Sequence, residues 1–289
     1  MIDKIVWTSD GSRDSLDALN YAVNLARIFG SEIVGLYVIP DYFEVPTLDE
    51  FPSTELDLLA SWIKEKESKG SDRLKSIAED LSSRGIKFST RITQGVPYLK
   101  IIETAEELNA DLIVMGKGRA EEKNILGATA LKVIRRSRIP VLVAKMDKSK
   151  AEIKRILIPS DIYNIRSRDL ELALDFSKDM GAELFSLNVV VTGEGKYPPE
   201  VIERMRGNAY DKLTQTLDDE GLGKLIEPVV TTSKNAWMGI VDFVKEKDVD
   251  LIFMNSYQGG KFRREEFIGS VAERVVQEAS CPVITVKPL

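Results

Sequence analysis

The 289-residue chain has no histidine and one cysteine, Cys281. Without imidazole there is no Ser-His or Cys-His catalytic pair, no His-bound zinc and no histidine pH switch. One thiol leaves no intrachain disulfide and no cysteine-cluster metal site. No apolar run approaches the roughly 20 residues that a membrane helix requires. A basic excess is also missing. Forty basic residues face 46 acidic ones, for a net charge of −6. Neither half is a basic arm, so nucleic acid is not an expected partner. The opening Met1-Ile2-Asp3-Lys4-Ile5 leads straight into an apolar run, without the charged, apolar and cleavage regions of a signal peptide. A cytoplasmic protein with no membrane partner is therefore expected, and the lone cysteine is compatible with that.

What is present is an ordinary globular composition, 43% hydrophobic and 30% charged. At roughly 150 residues per domain the length suggests two domains. An internal repeat supports this. Lys4-Ile5-Val6-Trp7-Thr8-Ser9-Asp10 has the form of Arg155-Ile156-Leu157-Ile158-Pro159-Ser160-Asp161. Ala110-Asp111-Leu112-Ile113-Val114-Met115 returns as Val249-Asp250-Leu251-Ile252-Phe253-Met254, and Ile139-Pro140-Val141-Leu142-Val143 as Cys281-Pro282-Val283-Ile284-Thr285. The order is kept and the spacing nearly so. The polar stretch Asp147 to Glu152 separates the copies, giving domains over 1–147 and 153–289.

Short runs rich in Val and Ile lie near 4–9, 33–39, 86–92, 111–115 and 140–145, and suit strands buried on both faces. Between the first two, Leu16, Leu19, Val23 and Ala26 have helical spacing, with Ser12 or Ser15 as N-cap. Helices are expected over 55–83, 98–108 and 128–137, then 165–180, 198–220, 237–247 and 270–279. Strands alternating with helices predict a parallel sheet with right-handed crossovers. The expected fold is α/β: two tandem doubly wound, Rossmann-like domains, each with a five-stranded parallel sheet. A ligand crevice would lie at the carboxyl ends of the strands.

Thr8-Ser9-Asp10-Gly11-Ser12 follows the first strand. A carboxylate there can accept hydrogen bonds from an adenine amino group or ribose hydroxyls; equally, Asp10 or Ser12 can simply cap the next helix. Met115-Gly116-Lys117-Gly118-Arg119 follows the fourth strand, and Leu126-Gly127-Ala128-Thr129 opens the next helix. Glycines let backbone approach phosphates, a helix N-terminus offers free N–H groups, and Lys117 and Arg119 could add phosphate contacts. A flexible turn is the plainer reading of the same glycines.

The combination resembles the universal stress protein family, in two tandem copies covering nearly the whole chain. The resemblance rests on Asp10-Gly11-Ser12, Gly95-Val96-Pro97, the Asp111 to Gly116 block and Pro140 to Val143. It implies an adenine nucleotide alpha hydrolase-like fold that binds ATP, AMP or ADP, with or without Mg²⁺. It places the first site at Thr8, Ser9, Asp10, Val38, Met115, Gly116, Gly118, Arg119, Gly127, Ala128 and Thr129. It also implies strand five pairing across a two-fold axis, so Ile139 to Ala144 would face Pro282 to Val286 as an intramolecular pseudo-dimer; a further homodimer is left open.

Each copy departs from the family loop Gly-x2-Gly-x9-Gly-[Ser/Thr]. In the first, Arg119 stands at the second glycine and the loop is about two residues short, ending in Gly127-Ala128-Thr129. In the second, Ile162-Tyr163 replaces Gly-Ser, Lys234-Asn235-Ala236 replaces Gly-Val-Pro, and Asn255 takes the place of the first glycine, where φ > 0 is expected. The equivalent site would be Ser160, Asp161, Val189, Asn255, Gly269 and Ser270.

Other features have plain readings. The acidic stretch Asp41 to Asp57 reads as a solvated insertion, or as a site for a cation or basic partner. Phe43, Phe51 and Trp62 beside it could form a lid or pack on a partner domain. Lys132, Arg135, Arg136 and Arg138 complement a helix dipole. Arg263-Arg264 beside Glu265-Glu266 reads as an exposed turn or an anion contact. Ser9 to Ser15 loosely resembles the Ser-Gly-Gly-x-Asp-Ser loop of ATP pyrophosphatases, one residue off in spacing. The function expected is therefore a nucleotide-binding stress-response regulator without a dedicated catalytic residue. A non-nucleotide scaffold acting through protein contacts is the alternative, and an ATP pyrophosphatase-type enzyme a minor one.

Overall fold

The computed structural model describes residues 2–41, 53–118, 126–144, 152–162, 168–195, 197–256 and 268–287. The first half runs β1 (Lys4–Ser9), α1 (Arg13–Phe29), β2 (Glu32–Pro40), α2 (Ser53–Ser83), β3 (Phe88–Gly95), α3 (Pro97–Glu107), β4 (Leu112–Gly116), α4 (Ala128–Arg136) and β5 (Val141–Ala144). The second repeats it as β6 (Arg155–Pro159), α5 (Arg168–Met180), β7 (Glu183–Val191), α6 (Pro199–Asp219), β8 (Glu227–Ser233), α7 (Ala236–Glu246), β9 (Leu251–Asn255), α8 (Ser270–Glu278) and β10 (Val283–Val286). Phe43, Phe51, Arg119 and the Arg263 to Glu266 turn lie outside the described residues.

The strands form one ten-stranded sheet in the order β3-β2-β1-β4-β5-β10-β9-β6-β7-β8. Within each half every pairing is parallel. The halves meet where β5 and β10 pair antiparallel, Val143 with Val283, Leu142 with Ile284 and Val141 with Thr285. Val141 and Val283 are equivalent in the repeat, as are Val143 and Thr285. The register is therefore self-complementary about Leu142 and Ile284, as a two-fold contact requires. It also covers two apolar edges that would otherwise template pairing with other chains.

Side-chain alternation divides the core into two layers. Ile5 and Trp7 belong to the layer that also holds buried residues of α1, α2, α5 and α6, whereas Val6 belongs to the layer of α3, α4, α7 and α8. Phe176 of α5 touches Phe29 of α1 at 4.8 Å and Phe253 of β9 at 4.9 Å, so the first layer is continuous across the halves. No helix among the described residues is long and apolar enough to cross a membrane.

The repeated Asp111 and Asp250 act at the amino ends of the strands, away from any ligand crevice. Asp111 Oδ2 accepts the backbone N–H groups of Asp3 at 2.8 Å and Lys4 at 2.9 Å. Asp250 Oδ2 accepts those of Lys154 at 2.9 Å and Arg155 at 3.0 Å. Each carboxylate fixes the start of the strand beside its own. The repeat thus carries architecture here.

Candidate functional site

At the carboxyl end of β1 the chain leaves the sheet through a tight turn. Thr8 and Ser9 are buried and Asp10 is exposed. Ser9 Oγ accepts the Gly11 N–H at 3.3 Å, and Asp10 Oδ1 accepts the Ser12 N–H at 2.8 Å. Ser12 then caps α1, its Oγ accepting the Ser15 N–H at 3.2 Å. The capping alternative is thus realised by Ser12, while Asp10 braces the turn through one oxygen and presents the other outward. Gly11 sits at φ +78°, a conformation that suits glycine.

Beside it, β2 outruns β1. The last β1–β2 pair is Ser9 with Tyr37, yet β2 stays paired to β3 as far as Pro40. From Val38 onward the β1-side edge of β2 has no strand neighbour among the described residues. That makes a half-buried backbone ledge above Asp10.

The β4–α4 connection is pinched at its base. The Gly127 N–H donates to the Lys117 carbonyl at 2.8 Å. Gly118 lies at φ +97°, and a Cβ there would stand 3.0 Å from Gly127 Cα. Two strands of backbone touch because neither residue has a side chain. Gly127 is the N-cap of α4 and supplies no side-chain hydrogen bond, so the first N–H groups, of Ala128 and Thr129, are left for an anion. Ala128 is exposed and Thr129 half-buried.

Three residues at the end of β4 also have structural roles. Met115 is 4% exposed and its side chain belongs to the core. Gly116 owes its small size to α1: a Cβ would lie 2.7 Å from the carbonyl carbon of Asp14. Lys117, read as a phosphate contact, donates from Nζ to the Gln277 carbonyl at 3.1 Å.

In the second half the same pinch recurs, with the Gly269 N–H donating to the Ser256 carbonyl at 2.8 Å and α8 again uncapped by a side chain. Ser270 is exposed at its first position. The rest of that site differs. Asn255 is not among the residues with positive φ; it is the last residue of β9, paired with Val286. The expectation of a left-handed Asn255 is therefore corrected, because Gly116 and Asn255 are strand ends rather than turns. The strained residue is Ile162, opposite Gly11, at φ +71° and 7% exposed. Its N–H donates to Ser160 Oγ at 3.0 Å, and the Asn188 side-chain amide donates to the Ser160 carbonyl at 2.9 Å. Val189 is half-buried, with a methyl 2.6 Å from where a Cβ on Gly239 would stand, and Asp161 stands half-buried at the strand end.

Acidity gathers around the first crevice. The Asp14 carboxyl is held above the usual carboxylate range by burial first, then by Asp10 and Asp17, with Lys117 opposing. Among the described residues no group of three or more acidic or thiol side chains could hold a metal ion. The basic residues at the end of α4 do more than face a dipole. Lys132 and Arg136 lie over the Tyr98 ring at 5.0 and 4.9 Å, Arg136 Nη1 donates to Tyr98 Oη at 2.8 Å, and Arg135 pairs with Glu273 of α8 at 3.2 Å.

Known proteins resemble this chain in sequence and fold. A sequence model of the universal stress protein family matches residues 1–145 and again 152–287. One universal stress protein of Methanocaldococcus jannaschii is 36% identical over 150 residues, 51% of this chain and 84% of that relative. Another from the same organism is 28% identical over 160 residues, 52% of this chain and 98% of the relative. A solved universal stress protein of Archaeoglobus fulgidus superposes with a TM-score of 0.70 at 22% identity, covering 98% of both chains, which speaks to the fold. The chain belongs to the universal stress protein family, as two tandem copies in one polypeptide.

Proposed function

We propose that the chain is a cytoplasmic, adenine-nucleotide-binding regulator of the stress response, with one unit over 1–147 and a second over 153–289. The observation that carries the reading is the Gly118–Gly127 pinch under an α4 with no side-chain cap. It leaves backbone N–H groups and a helix dipole facing the same crevice as the Asp10 carboxylate and the Val38 ledge. Asp10 would hold the ribose or adenine, Val38 the adenine through its backbone, and Gly118, Gly127, Ala128 and Thr129 the phosphates of ATP, ADP or AMP. Any Mg²⁺ would arrive on those phosphates, with Asp10 or Asp14 as outer partners, since magnesium is commonly held by one or two carboxylates plus phosphate oxygens. In this reading the β5–β10 contact takes the place of a dimer between separate chains.

Calorimetry with ATP, ADP, AMP and adenosine on the wild type and Asp10→Ala tests it. Binding is expected for the wild type and a loss of at least tenfold for the variant, about 1.4 kcal/mol. Absence of binding near millimolar nucleotide would sink the proposal. A second reading, a scaffold acting through protein contacts, draws on the second half. There the side chains of Ile162 and Asn188 crowd the end of β6. The pyrophosphatase reading predicts pyrophosphate release, and its absence on incubation with ATP removes it.

A further inference from the structure

Helix α2 comes in low over β2 because two glycines remove obstacles. A Cβ on Gly70 would fall 2.5 Å from Tyr37 Cδ1 and 2.7 Å from Cε1, so the aromatic ring occupies that space instead. A Cβ on Gly35 would fall 2.5 Å from Phe88 Cζ and 3.3 Å from Leu74 Cδ2, and Leu74 is 2% exposed. Arg73 precedes Leu74 and follows Gly70 by three residues, which puts it on the sheet-facing side of the helix. Its guanidinium ends at the β1–α1 turn: a Cβ on Gly11 would lie 2.8 Å from Arg73 Nη1 and 3.7 Å from Cζ. Gly11 is favoured by its φ, and the guanidinium rests in the space that the missing side chain leaves.

Among the described residues, no ion pair or hydrogen bond holds Arg73 in place. An exposed guanidinium is thus brought to the crevice. The charges around it are mostly of the other sign. Asp10, Asp14 and Asp17 line the turn and the first turns of α1, close enough for Asp10 and Asp17 to oppose ionisation of Asp14. A phosphate chain crossing from Asp10 to the α4 N-terminus would meet those carboxylates. Lys117, the lysine of the loop itself, is turned toward Gln277. A planar fork of donors suits a phosphate where a point charge does not reach.

We propose that Arg73, on α2, contacts a phosphate of the nucleotide in the first-half site; this rests on the nucleotide reading above. At the equivalent turn of the second half the buried Ile162 stands in place of Gly11, so the two turns differ at this position. Calorimetry with ATP, AMP and adenosine on the wild type, Arg73→Ala and Arg73→Lys tests it, with melting temperatures to confirm folding. Arg73→Ala should weaken ATP and AMP by about tenfold or more and leave adenosine within about twofold, while Arg73→Lys should fall between. ATP affinity within about twofold of wild type in Arg73→Ala overturns the inference while the nucleotide reading stands, as does a parallel loss of adenosine. A wild type that binds none of the three overturns the nucleotide reading itself, and this inference with it.

Discussion

The ammonium of Lys117 lies 3.1 Å from the carbonyl oxygen of Gln277, tying the loop after β4 to the last turn of α8 across the boundary between the halves. Lys287 Nζ reaches the Arg135 carbonyl at 3.3 Å. Arg135 and Gln277 are the penultimate residues of α4 and α8. Each helix therefore offers a late carbonyl, where its dipole is negative, to an ammonium from the opposite half.

Lys117→Met should accordingly act on stability more than on nucleotide affinity. Loss of one charge-assisted hydrogen bond at a helix C-terminus is expected to cost about 1 kcal/mol. Urea unfolding reads the first quantity and ATP calorimetry the second. A loss of affinity beyond about tenfold, 1.4 kcal/mol, would return Lys117 to the phosphates and refute its assignment as a tie.

Much of this was legible beforehand. The repeat blocks, the strand–helix alternation and the glycine loop are local patterns, and each falls on the element expected. What escaped was set by distance in space. Arg73 carries no motif, because its relevance depends on how closely α2 approaches Tyr37 through Gly70. Asn255 was misread because a glycine matched by alignment says nothing about its φ; Gly116 is small for the sake of the Asp14 backbone. Ile162 carries no signal of its conformation, since a β-branched residue gives no local hint of a left-handed turn.

Gly127→Asp separates binding from folding. Aspartate is a favoured N-cap and sits well beside a helix N-terminus, so α4 should lose no stability through its cap. The same carboxylate would occupy and repel the anion position. A Cβ at Gly127 would stand 3.1 Å from the Lys117 carbonyl oxygen and 3.2 Å from Gly118 Cα, so the backbone of the pinch must give slightly to admit it. The expected result is a folded variant with a somewhat lower melting temperature and with phosphate-dependent affinity abolished. Retained ATP affinity would mean the phosphates lie elsewhere.

The strain at Ile162 has its own signature. Truncating a buried isoleucine typically costs about 2–5 kcal/mol, and a non-glycine residue held at positive φ stores about 1–3 kcal/mol. Ile162→Gly removes the side chain and the strain together. It should therefore destabilise less than Ile162→Ala, the reverse of the usual order in which glycine is the worse replacement. Chemical denaturation of both variants decides, and a more stable Ile162→Ala would refute the left-handed assignment.

Asp14 sets a pH dependence whose sign follows from its surroundings. As a first-turn residue of α1 it should gain from the helix dipole, by a few tenths of a kcal/mol at an exposed site. Burial and the neighbouring Asp10 and Asp17 nevertheless hold its carboxyl above the ordinary range, so the unfavourable effects prevail. A folded value above the unfolded one means that Asp14 favours folding below the unfolded value, about pH 3.9, and that this contribution is lost as pH rises through the folded value. Asp14→Asn should thus raise the melting temperature at neutral pH, and the gap to wild type should close on acidification toward about pH 4. Because Lys117 opposes the upward shift, the gain at neutral pH should be larger in a Lys117→Met background. A variant less stable than wild type at neutral pH, or a gain unchanged by Lys117→Met, would contradict the charge arrangement inferred around the β1–α1 turn.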